Sequence, residues 1–564
     1  MFHSAAVRRV KNLALLGIVF LIAHIVAAQN FQIGSSNTVT ADPPVSRPHV
    51  KPCVVTLFSG LQFVDFSVPT YQYQPPSACP GPWQKVVFTA DFSVTAGRQF
   101  DRTAIVDMGF VNLYFGTTAE PRASLAPSWH VERDVTDYSA LFASPQSGSV
   151  ILGNIVNSTY TGIISGSASL EFYPGSEHDS AQRVPDAVLP LRQSNGSGGF
   201  NEPAFLATST DQLASTLTLP GNVEKAYLDV ITQSQIGDEF WYSCVPNDVA
   251  TELQSCGGTA FREAEVSIDG QPAGVAPVYP WIYTGGVDPF FWEPIPGVQA
   301  LNFVPYRVNL TPFAGVLSNG LPHTIALSVF NANNYFSATA TLLLFLDHGA
   351  TQVTGAVTKN TIGSGPTPSI QQNLTTDSSG NVSGNVTTNS VRSFRVAGYV
   401  NTSHGRVGTD IRQQVSFGNL QTFNITATTY TQDITQNTQL NSTVITSNRE
   451  GPAVARETFT YPLTLNYTLT FNADGSIIQN GQVSQEFDHD FASPWFAGVV
   501  RNKVKSVDTL DLDSSFHITG NSGQQSSQSY SALDSQGGEY NCTLKARNNA
   551  LSFASEGCGS PADH

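Results

Sequence analysis

The amino-acid sequence predicts an all-β protein. Only 12% of the 564 residues are charged, whereas Phe, Tyr and Trp together make up 10% and Met occurs twice. Short runs of β-branched and aromatic residues alternate with polar residues between turns rich in Gly, Pro and Ser, a pattern typical of antiparallel sheets. The chain is also too long for one ordinary hydrophobic core, so we expect two or three domains.

The N-terminus has the layout of a secretory signal peptide. Arg8, Arg9 and Lys11 precede an apolar run over residues 13–28 that ends in small residues. This pattern predicts residues 1–28 as a signal peptide with cleavage after Ala28. An uncleaved N-terminal membrane anchor is the alternative, but the run falls short of the roughly 20 residues that span a bilayer. We expect a secreted protein without stable membrane association.

The cysteines and glycosylation sequons agree with that route. Three local disulfides are expected, although six cysteines allow other connectivities: Cys53–Cys79, Cys244–Cys256 and Cys542–Cys558. Eleven Asn-x-Ser/Thr sequons, which favour exposed loops of a secreted glycoprotein, have as acceptors Asn157, Asn195, Asn309, Asn373, Asn381, Asn385, Asn401, Asn424, Asn441, Asn466 and Asn541.

Composition divides the remaining chain into three β-rich parts. Residues 29–190 form the first predicted sandwich, and the polar segment 29–50 is expected to be a mobile lead-in. A Gly- and Ser-rich stretch opens the second sandwich, over 191–350. Residues 351–564 are rich in Ser, Thr and Asn and carry most of the sequons. We expect this third part to pack on the other two without chemistry of its own.

The net charge and the motifs limit the classes of function that the sequence allows. The net charge of −16 argues against nucleic acid as a partner, and it is compatible with a neutral glycan or glycopeptide. The sequence has no Gly-rich phosphate loop, no nucleophile elbow and no His-Glu-x-x-His motif. Nothing in it calls for a cofactor or a metal.

Asp101 is the first candidate for catalysis. It lies between Phe100 and Arg102 at the start of an apolar β-type run, where a partly desolvated carboxylate can act as a base. Taken alone, an Asp-Arg pair beside a strand is more often a salt-bridged loop acid.

A family resemblance favours the catalytic interpretation. The stretches Gln99–Asp107, Trp129–Leu141 and Tyr283–Gly297 resemble the peptide N-glycosidase A family. Phe100-Asp-Arg102, with Phe in place of Trp, and Asp134-Val-Thr-Asp137 are also similar to segments of bacterial peptide N-glycosidase F. The resemblance implies two adjacent jelly-roll-like antiparallel β-sandwiches. It also implies a glycoamidase that hydrolyses the amide between N-acetylglucosamine and asparagine, with Asp101 as the principal catalytic residue.

The second carboxylate is harder to place. The bacterial relative has a Glu between two cysteines ahead of a Phe-Arg pair, and this sequence lacks it: Cys256 is followed by Gly257-Gly-Thr-Ala260 before Phe261-Arg262. Glu263, one residue beyond, is our candidate, with Asp238 and Glu239 as competitors. Each of them could instead be a solvated acid at a strand edge or in a loop.

Further residues are expected to bind the substrate. Aromatic faces stack on sugar rings, and carboxylates bind hydroxyl groups. A structural plug at the sandwich end is the alternative for the segment 283–297. The predicted substrate-binding residues are Arg102, Asp238, Glu239, Trp241, Arg262, Asp288, Trp292 and Glu293.

Two other functions remain open from the sequence. A carbohydrate-binding sandwich protein without catalysis could use the same aromatic loop. An endoglycosidase that cuts within the N-glycan core would need two carboxylates at a fixed separation around the glycosidic oxygen.

Overall fold

The computed structural model describes residues 31–175, 183–197 and 199–559, and the all-β prediction is confirmed. The predicted signal peptide lies outside the described residues. Among them, helix occurs as two short α-helices and five 3₁₀ turns: α1 (Ser139–Phe142), α2 (Ala314–Leu317), Thr136–Tyr138, Ile236–Asp238, Trp241–Ser243, Pro289–Trp292 and Thr311–Phe313.

The first sandwich packs two four-stranded antiparallel sheets face to face. One sheet has the order β1-β8-β3-β6 and the other β2-β7-β4-β5. Phe88 and Tyr114 stack across the interior with ring centroids 5.8 Å apart. The strands are β1 (Cys53–Phe63), β2 (Thr70–Tyr73), β3 (Trp83–Val94), β4 (Thr103–Met108), β5 (Val111–Thr117), β6 (Ser128–Asp134), β7 (Gln146–Ile151) and β8 (Ile164–Pro174).

The second sandwich follows the same plan. The strands are β9 (Ala187–Pro190), β10 (Gln193–Ser194), β11 (Phe200–Asn201), β12 (Ala204–Leu206), β13 (Leu213–Thr218), β14 (Val223–Ser234), β15 (Glu263–Ile268), β16 (Gln271–Pro277), β17 (Tyr306–Asn309), β18 (Pro322–Phe330) and β19 (Phe336–Leu346). One sheet has the order β12-β19-β14-β17, with β9 also paired to β19, and the other β13-β18-β15-β16. Because β9 pairs with β19, residues just before position 190 already belong to this sheet.

The C-terminal part is one antiparallel sheet of eleven strands. Its order is β20-β22-β23-β24-β25-β26-β27-β28-β29-β30, with β21 paired to β22. The strands are β20 (Thr354–Asn360), β21 (Ser369–Thr376), β22 (Val382–Thr402), β23 (Gly405–Ile425), β24 (Thr429–Asn448), β25 (Gly451–Phe471), β26 (Ile477–Ala492), β27 (Ala497–Leu512), β28 (Ile518–Asp534), β29 (Glu539–Arg547) and β30 (Ala550–Ala554).

The C-terminal sheet shares a hydrophobic core with the second sandwich. Phe417 of β23 packs against Phe261 and Trp241, with ring centroids 5.0 and 6.2 Å apart. Leu463 and Val504 belong to the same buried cluster. One face of the sheet therefore packs on the second sandwich and fixes the loops that it contacts. The predicted division at residues 190 and 350 stays a prediction.

The segment before the first strand is packed, so the expectation of a mobile lead-in is wrong for residues 31–50. Val39 and Ala41 are buried, and their N–H groups donate to Pro294 O (3.0 Å) and Gln528 Oε1 (2.6 Å). The Arg47 guanidinium pairs with the carboxylates of Glu132 and Glu171, each at 2.8 Å. Two buried apolar residues and one arginine thus attach the segment 31–50 to both the first sandwich and the C-terminal sheet.

The three predicted disulfides are confirmed as Cys53–Cys79, Cys244–Cys256 and Cys542–Cys558. They indicate an oxidising compartment. Each of the eleven sequon asparagines is at least partly exposed. Within the described residues, no helix is long and apolar enough to cross a membrane.

Candidate active site

Asp101 lies in the loop that leads from β3 into β4. The neighbouring backbone extends the β4–β5 pairing beyond the strands, because Arg102 N–H donates to Thr118 Oγ1 (2.9 Å) and Thr118 N–H donates to Arg102 O (2.8 Å). This pairing fixes the backbone beside Asp101 at the open end of the β4–β5 hairpin, facing the second sandwich.

Glu120 is the residue that the fold brings to Asp101. The Asp101 N–H donates to Glu120 Oε2 at 3.3 Å, and the two carboxyl groups are hydrogen-bonded to each other. The Glu120 N–H donates to Thr284 Oγ1 (2.9 Å), and the Thr284 hydroxyl donates to Thr118 O (2.7 Å). A threonine of the second sandwich therefore holds the loop that carries Glu120.

Gly285 of the second sandwich lies against both carboxyl groups of the Asp101–Glu120 pair. Its N–H donates to the Asp101 carboxylate. A Cβ atom at position 285 would lie 2.3 Å from Glu120 Oε2 and 2.8 Å from Asp101 Oδ1. Only glycine leaves room for both carboxyl groups here, and the backbone amide becomes an oriented donor to the pair.

Burial and mutual charge shift the titration of these acids. Burial raises the pKa of Glu120 to about 8, with the neighbouring charge of Asp101 as the second cause. Burial also raises the pKa of Asp101, against the Gly285 hydrogen bond and the Arg102 charge, which lower it. Two interacting carboxyl groups that share a site hold one proton between them over a wide pH range.

Glu239 contributes a third carboxyl group, from the second sandwich. It directly follows the 3₁₀ turn Ile236–Asp238 and is half-buried. Burial, and then the Asp101 charge, raises its pKa to about 7. The cluster of Asp101, Glu120 and Glu239 thus spans the junction between the two sandwiches, which is where ligand sites commonly lie.

Arg102 is the fixed positive charge that acts on Asp101. Its Nε donates to Asn154 Oδ1 (3.0 Å) and its Nη2 to Gln99 Oε1 (2.9 Å). Its guanidinium carbon lies 5.9 Å from the centroid of the half-exposed Phe100 ring. Neutral oxygens hold this guanidinium, and no carboxylate among the described residues forms an ion pair with it.

Glu293 lies at the edge of the cluster. Its charge adds to the rise in the pKa of Glu120. It forms an ion pair with Arg122 at 2.6 Å, and burial raises its own pKa to about 7. Glu293 therefore belongs to the electrostatic surroundings of the pair.

Asp238 and Arg262 form a fully buried ion pair beneath Glu239. Arg262 Nη2 donates to Asp238 Oδ1 at 2.7 Å, and both side chains have no exposed surface. The second oxygen, Oδ2, accepts the N–H groups of residues 333–335 at 2.7 to 3.0 Å. With its oxygens occupied in this way, Asp238 anchors the turn that presents Glu239 and is not free to contact a substrate.

The structure directs Glu263 away from this cluster. Its Oε1 accepts a hydrogen bond from Arg392 of β22 at 2.6 Å, and the side chain is 2% exposed. Burial, followed by Arg392 and Glu265, determines its pKa, which is raised to about 7. The strand face that carries Glu263 is covered by the C-terminal sheet, so Glu263 holds that interface.

The aromatic segment 283–297 is a plug against the C-terminal sheet. Trp292 is buried and its indole N–H donates to Gly286 O (2.9 Å). The Asp288 carboxylate accepts the Phe290 N–H (2.9 Å) and caps the turn Pro289–Trp292. Trp241 is likewise fully buried. These side chains support the loop that carries Thr284 and Gly285, and we assign them no contact with sugar.

Glu120 is the functional residue that the sequence analysis missed. The signal was present in the hairpin, because Thr103 of β4 pairs with Thr117 of β5. Residues that flank paired strands at the open end of a hairpin lie side by side. Continued beyond the strands, this register places Ala119 opposite Asp101, so it would have placed Glu120, the next residue, close to Asp101.

Comparison with known proteins now decides the family. The family model described as "Peptide N-acetyl-beta-D-glucosaminyl asparaginase amidase A" matches residues 44–362, more than half of the chain. The chain belongs to the peptide N-glycosidase A family. It is also 31% identical over 396 residues to "Peptide-N4-(N-acetyl-beta-glucosaminyl)asparagine amidase A" of Prunus dulcis, covering 67% of each chain. The family resemblance seen in the sequence is confirmed.

Solved structures show only distant likeness. PNGF-II is 13% identical with a TM-score of 0.36, covering 53% of this chain and 66% of the other. PNGase F, a glycosylasparaginase from Flavobacterium meningosepticum, is 14% identical with a TM-score of 0.35, covering 52% of this chain and 96% of the other. At these scores the likeness carries no argument about the site.

Proposed function

We propose that Asp101 and Glu120 together catalyse the amidase reaction of the peptide N-glycosidase A family: hydrolysis of the amide that joins N-acetylglucosamine to an asparagine side chain. Family membership makes the chain an amidase of this kind. One observation supports the catalytic assignment above all others. The two carboxyl groups are hydrogen-bonded to each other and crowd a single glycine, at the junction of the two sandwiches.

The two carboxyl groups share one proton. The group without the proton acts as the base, and the group that carries it acts as the acid. The ionised Asp101 carboxylate takes a proton from water, and the water oxygen bonds to the amide carbon. Glu120, with its pKa raised to about 8, is the member that keeps the proton, and it protonates the nitrogen as the carbon–nitrogen bond breaks. The products are an aspartate carboxylate in the peptide and a glycan that carries the amine.

Two neighbours assist this reaction. The charge of Arg102 favours the ionised form of Asp101, in opposition to burial, and can stabilise the oxyanion that forms on the amide carbonyl. Glu239 faces the pair across the junction, where it can bind hydroxyl groups of the first sugar. Its raised pKa of about 7 leaves it mostly neutral at acidic pH, able to donate as well as accept.

The same geometry disfavours the endoglycosidase alternative. Glycosidases place two carboxyl groups on either side of a glycosidic bond, about 5 Å apart or more. Asp101 and Glu120 are in direct hydrogen-bond contact, which leaves no room for a sugar ring between them. An adjacent pair suits a water and an amide approaching from one side.

We also propose that the protein is secreted. The three disulfides favour an oxidising compartment, and each sequon asparagine is at least partly exposed to modification. The raised pKa values of the carboxyl cluster fit work in a mildly acidic medium, where the shared proton is present. The substrate we propose is an N-glycopeptide or a denatured glycoprotein, since an asparagine side chain must reach a junction between two domains.

The test uses a defined N-glycopeptide, incubated with the purified protein at mildly acidic pH and analysed by mass spectrometry. We expect release of the whole glycan with Asn converted to Asp. A peptide that retains one N-acetylglucosamine would instead show an endoglycosidase. A glycopeptide that binds and is never converted would show a carbohydrate-binding protein without catalysis.

A further inference from the structure

A crevice of about 760 Å³ separates the second sandwich from the face of the C-terminal sheet. Tyr279, Trp281 and Tyr306 line the sandwich wall, and Phe459 and His489 line the sheet wall. Its size lies within the range of cavities that bind small ligands. None of the three carboxyl groups of the candidate active site lines it.

Aromatic rings form a continuous platform on the sheet wall. Phe459 of β25 and His489 of β26 are paired across the strands and stacked, with centroids 4.0 Å apart and planes at 7°. Tyr461 and Phe487 stack beside them at 5.5 Å and 17°. Tyr306 meets the edge of Phe459 at 5.3 Å from the opposite wall. Phe459, Phe487, His489 and Tyr306 keep part of their surface exposed, so these rings contribute aromatic surface to the crevice.

Three polar atoms on residues that line the crevice lack a protein partner among the described residues. They are the indole N–H of Trp281, the amide oxygen of Asn302 and the Nε2 atom of His489. Trp281 is only 4% exposed. A buried donor or acceptor without a partner is costly, so such atoms commonly mark a site that a ligand or ordered water completes.

The charges in the lining limit the chemistry of a ligand. Four acidic residues line the crevice, Asp42, Glu132, Glu224 and Glu457, against two basic residues, Lys225 and Arg307. Arg307, which also lines it, is already held by Asp229 at 2.7 Å and by Asp137 at 2.6 Å. Burial lowers the pKa of His489 to about 4, so this ring is neutral at mildly acidic and neutral pH. Phosphate or carboxylate ligands are therefore disfavoured, and a neutral ligand is favoured.

We infer that this crevice is a second saccharide-binding site, which takes a neutral oligosaccharide such as an arm of an N-glycan. Pyranose rings offer apolar C–H faces for the aromatic platform, and their hydroxyl groups donate and accept for the unpartnered indole, amide and imidazole atoms. The lining crosses β23 to β28, about 24 Å at ~4.8 Å per strand, which accommodates several sugar units. The inference does not depend on the proposed hydrolysis, because the two sites share no lining residue.

The test measures binding of a free neutral high-mannose oligosaccharide, without asparagine, to the full chain carrying D101N, by isothermal titration calorimetry. F459A removes the platform. H489F keeps a stacked ring and removes the Nε2 atom. W495A is the matched control, because Trp495 is an aromatic residue with 84% exposure that does not line the crevice. Circular dichroism and thermal unfolding check that each variant is folded.

We expect F459A to weaken binding roughly tenfold, H489F to weaken it less, and W495A to leave it unchanged. Unchanged affinity in both folded crevice variants would overturn the inference, and so would absence of binding by the parent protein. A loss of affinity on adding E120Q and E239Q, with none in the crevice variants, would mean that the oligosaccharide binds only at the carboxylate cluster.

A second readout separates this inference from the proposed reaction. In the background of the natural residue at 101, we compare release from a glycopeptide with a two-sugar core and from one with a full high-mannose glycan. F459A should raise KM for the full glycan and leave both constants for the short one unchanged. Equal effects on both substrates would contradict a separate glycan site while leaving the amidase assignment intact.

Discussion

Glu120 Oε2 accepts the backbone N–H of Asp101 at 3.3 Å, and the carboxyl groups of these two residues share a hydrogen bond. This contact joins the two sides of the β4–β5 hairpin at its open end, and Gly285 of the second sandwich covers it. The arrangement needs both sandwiches, which gives a physical reason for two domains to meet here.

The D101N variant should lose turnover and keep its fold. Asparagine has nearly the same volume as aspartate, but it cannot accept a proton from water, so we expect kcat to fall by roughly 10² to 10⁴. D474N, at an exposed turn of the C-terminal sheet, is the control. Release of glycan from a glycopeptide is measured for both. Activity of D101N close to the parent level would remove Asp101 from the central role.

The E120Q variant tests the shared proton. Glutamine can still hydrogen-bond to Asp101 but supplies no proton to the leaving nitrogen, so we expect kcat to fall by roughly 10² or more. Loss of the neighbouring acid also frees Asp101 to titrate alone, and the pH profile of kcat should lose its alkaline limb. A profile of unchanged shape, with activity retained, would mean that the proton comes from elsewhere.

The G285A variant should damage the site without unfolding the protein. The new methyl group would lie 2.3 Å from Glu120 Oε2 and 2.8 Å from Asp101 Oδ1, so it forces the two carboxyl groups apart. We expect a large loss of kcat with a small change in the melting temperature. G520A is the control, since its nearest contact would be 3.5 Å. Full activity of G285A would contradict the crowding that we describe.

Asp238 should prove structural. Replacing it by Ala leaves the buried Arg262 guanidinium without its carboxylate and three backbone N–H groups without an acceptor. We expect a loss of about 3–5 kcal/mol in the free energy of unfolding, measured with denaturant. The double variant D238A/R262M should recover part of it. A stable D238A protein with a specific rise in KM would instead favour a direct contact with substrate.

Stability should fall as the pH rises from about 5 to 9. Burial raises the pKa values of Glu120 and Asp288 to about 8 and that of Glu239 to about 7. The folded state therefore binds more protons than the unfolded chain, whose acids titrate near 4. The contribution of these groups to the free energy of unfolding is fully present below about pH 4 and is lost as the pH passes through 7 and 8. Melting temperatures across this range provide the measurement. D288N should make the fall in melting temperature with pH less steep. A melting temperature that rises with pH would contradict the prediction.

The sequence predicted those features that depend on local pattern. Alternation of apolar and polar residues predicted sheets, and short spacing predicted the disulfides. It could not show which strand faces are covered, because the covering residues come from far along the chain. Glu263 was our candidate for the second carboxylate, yet Arg392 of the C-terminal sheet covers it. Trp292 was expected at a sugar site, but its segment packs against β27 and β28, where Ser506 and Gln524 donate to its backbone carbonyls.

The most direct measurement follows the oxygen atom of water. A defined N-glycopeptide is incubated in heavy-oxygen water with the parent protein or with D101N, and the peptide product is sequenced by mass spectrometry. We predict that the parent protein converts the glycosylated asparagine to aspartate carrying one heavy oxygen, and that D101N does not. An asparagine that keeps its nitrogen and one sugar, or equal conversion by both proteins, would contradict amide hydrolysis by the Asp101 pair.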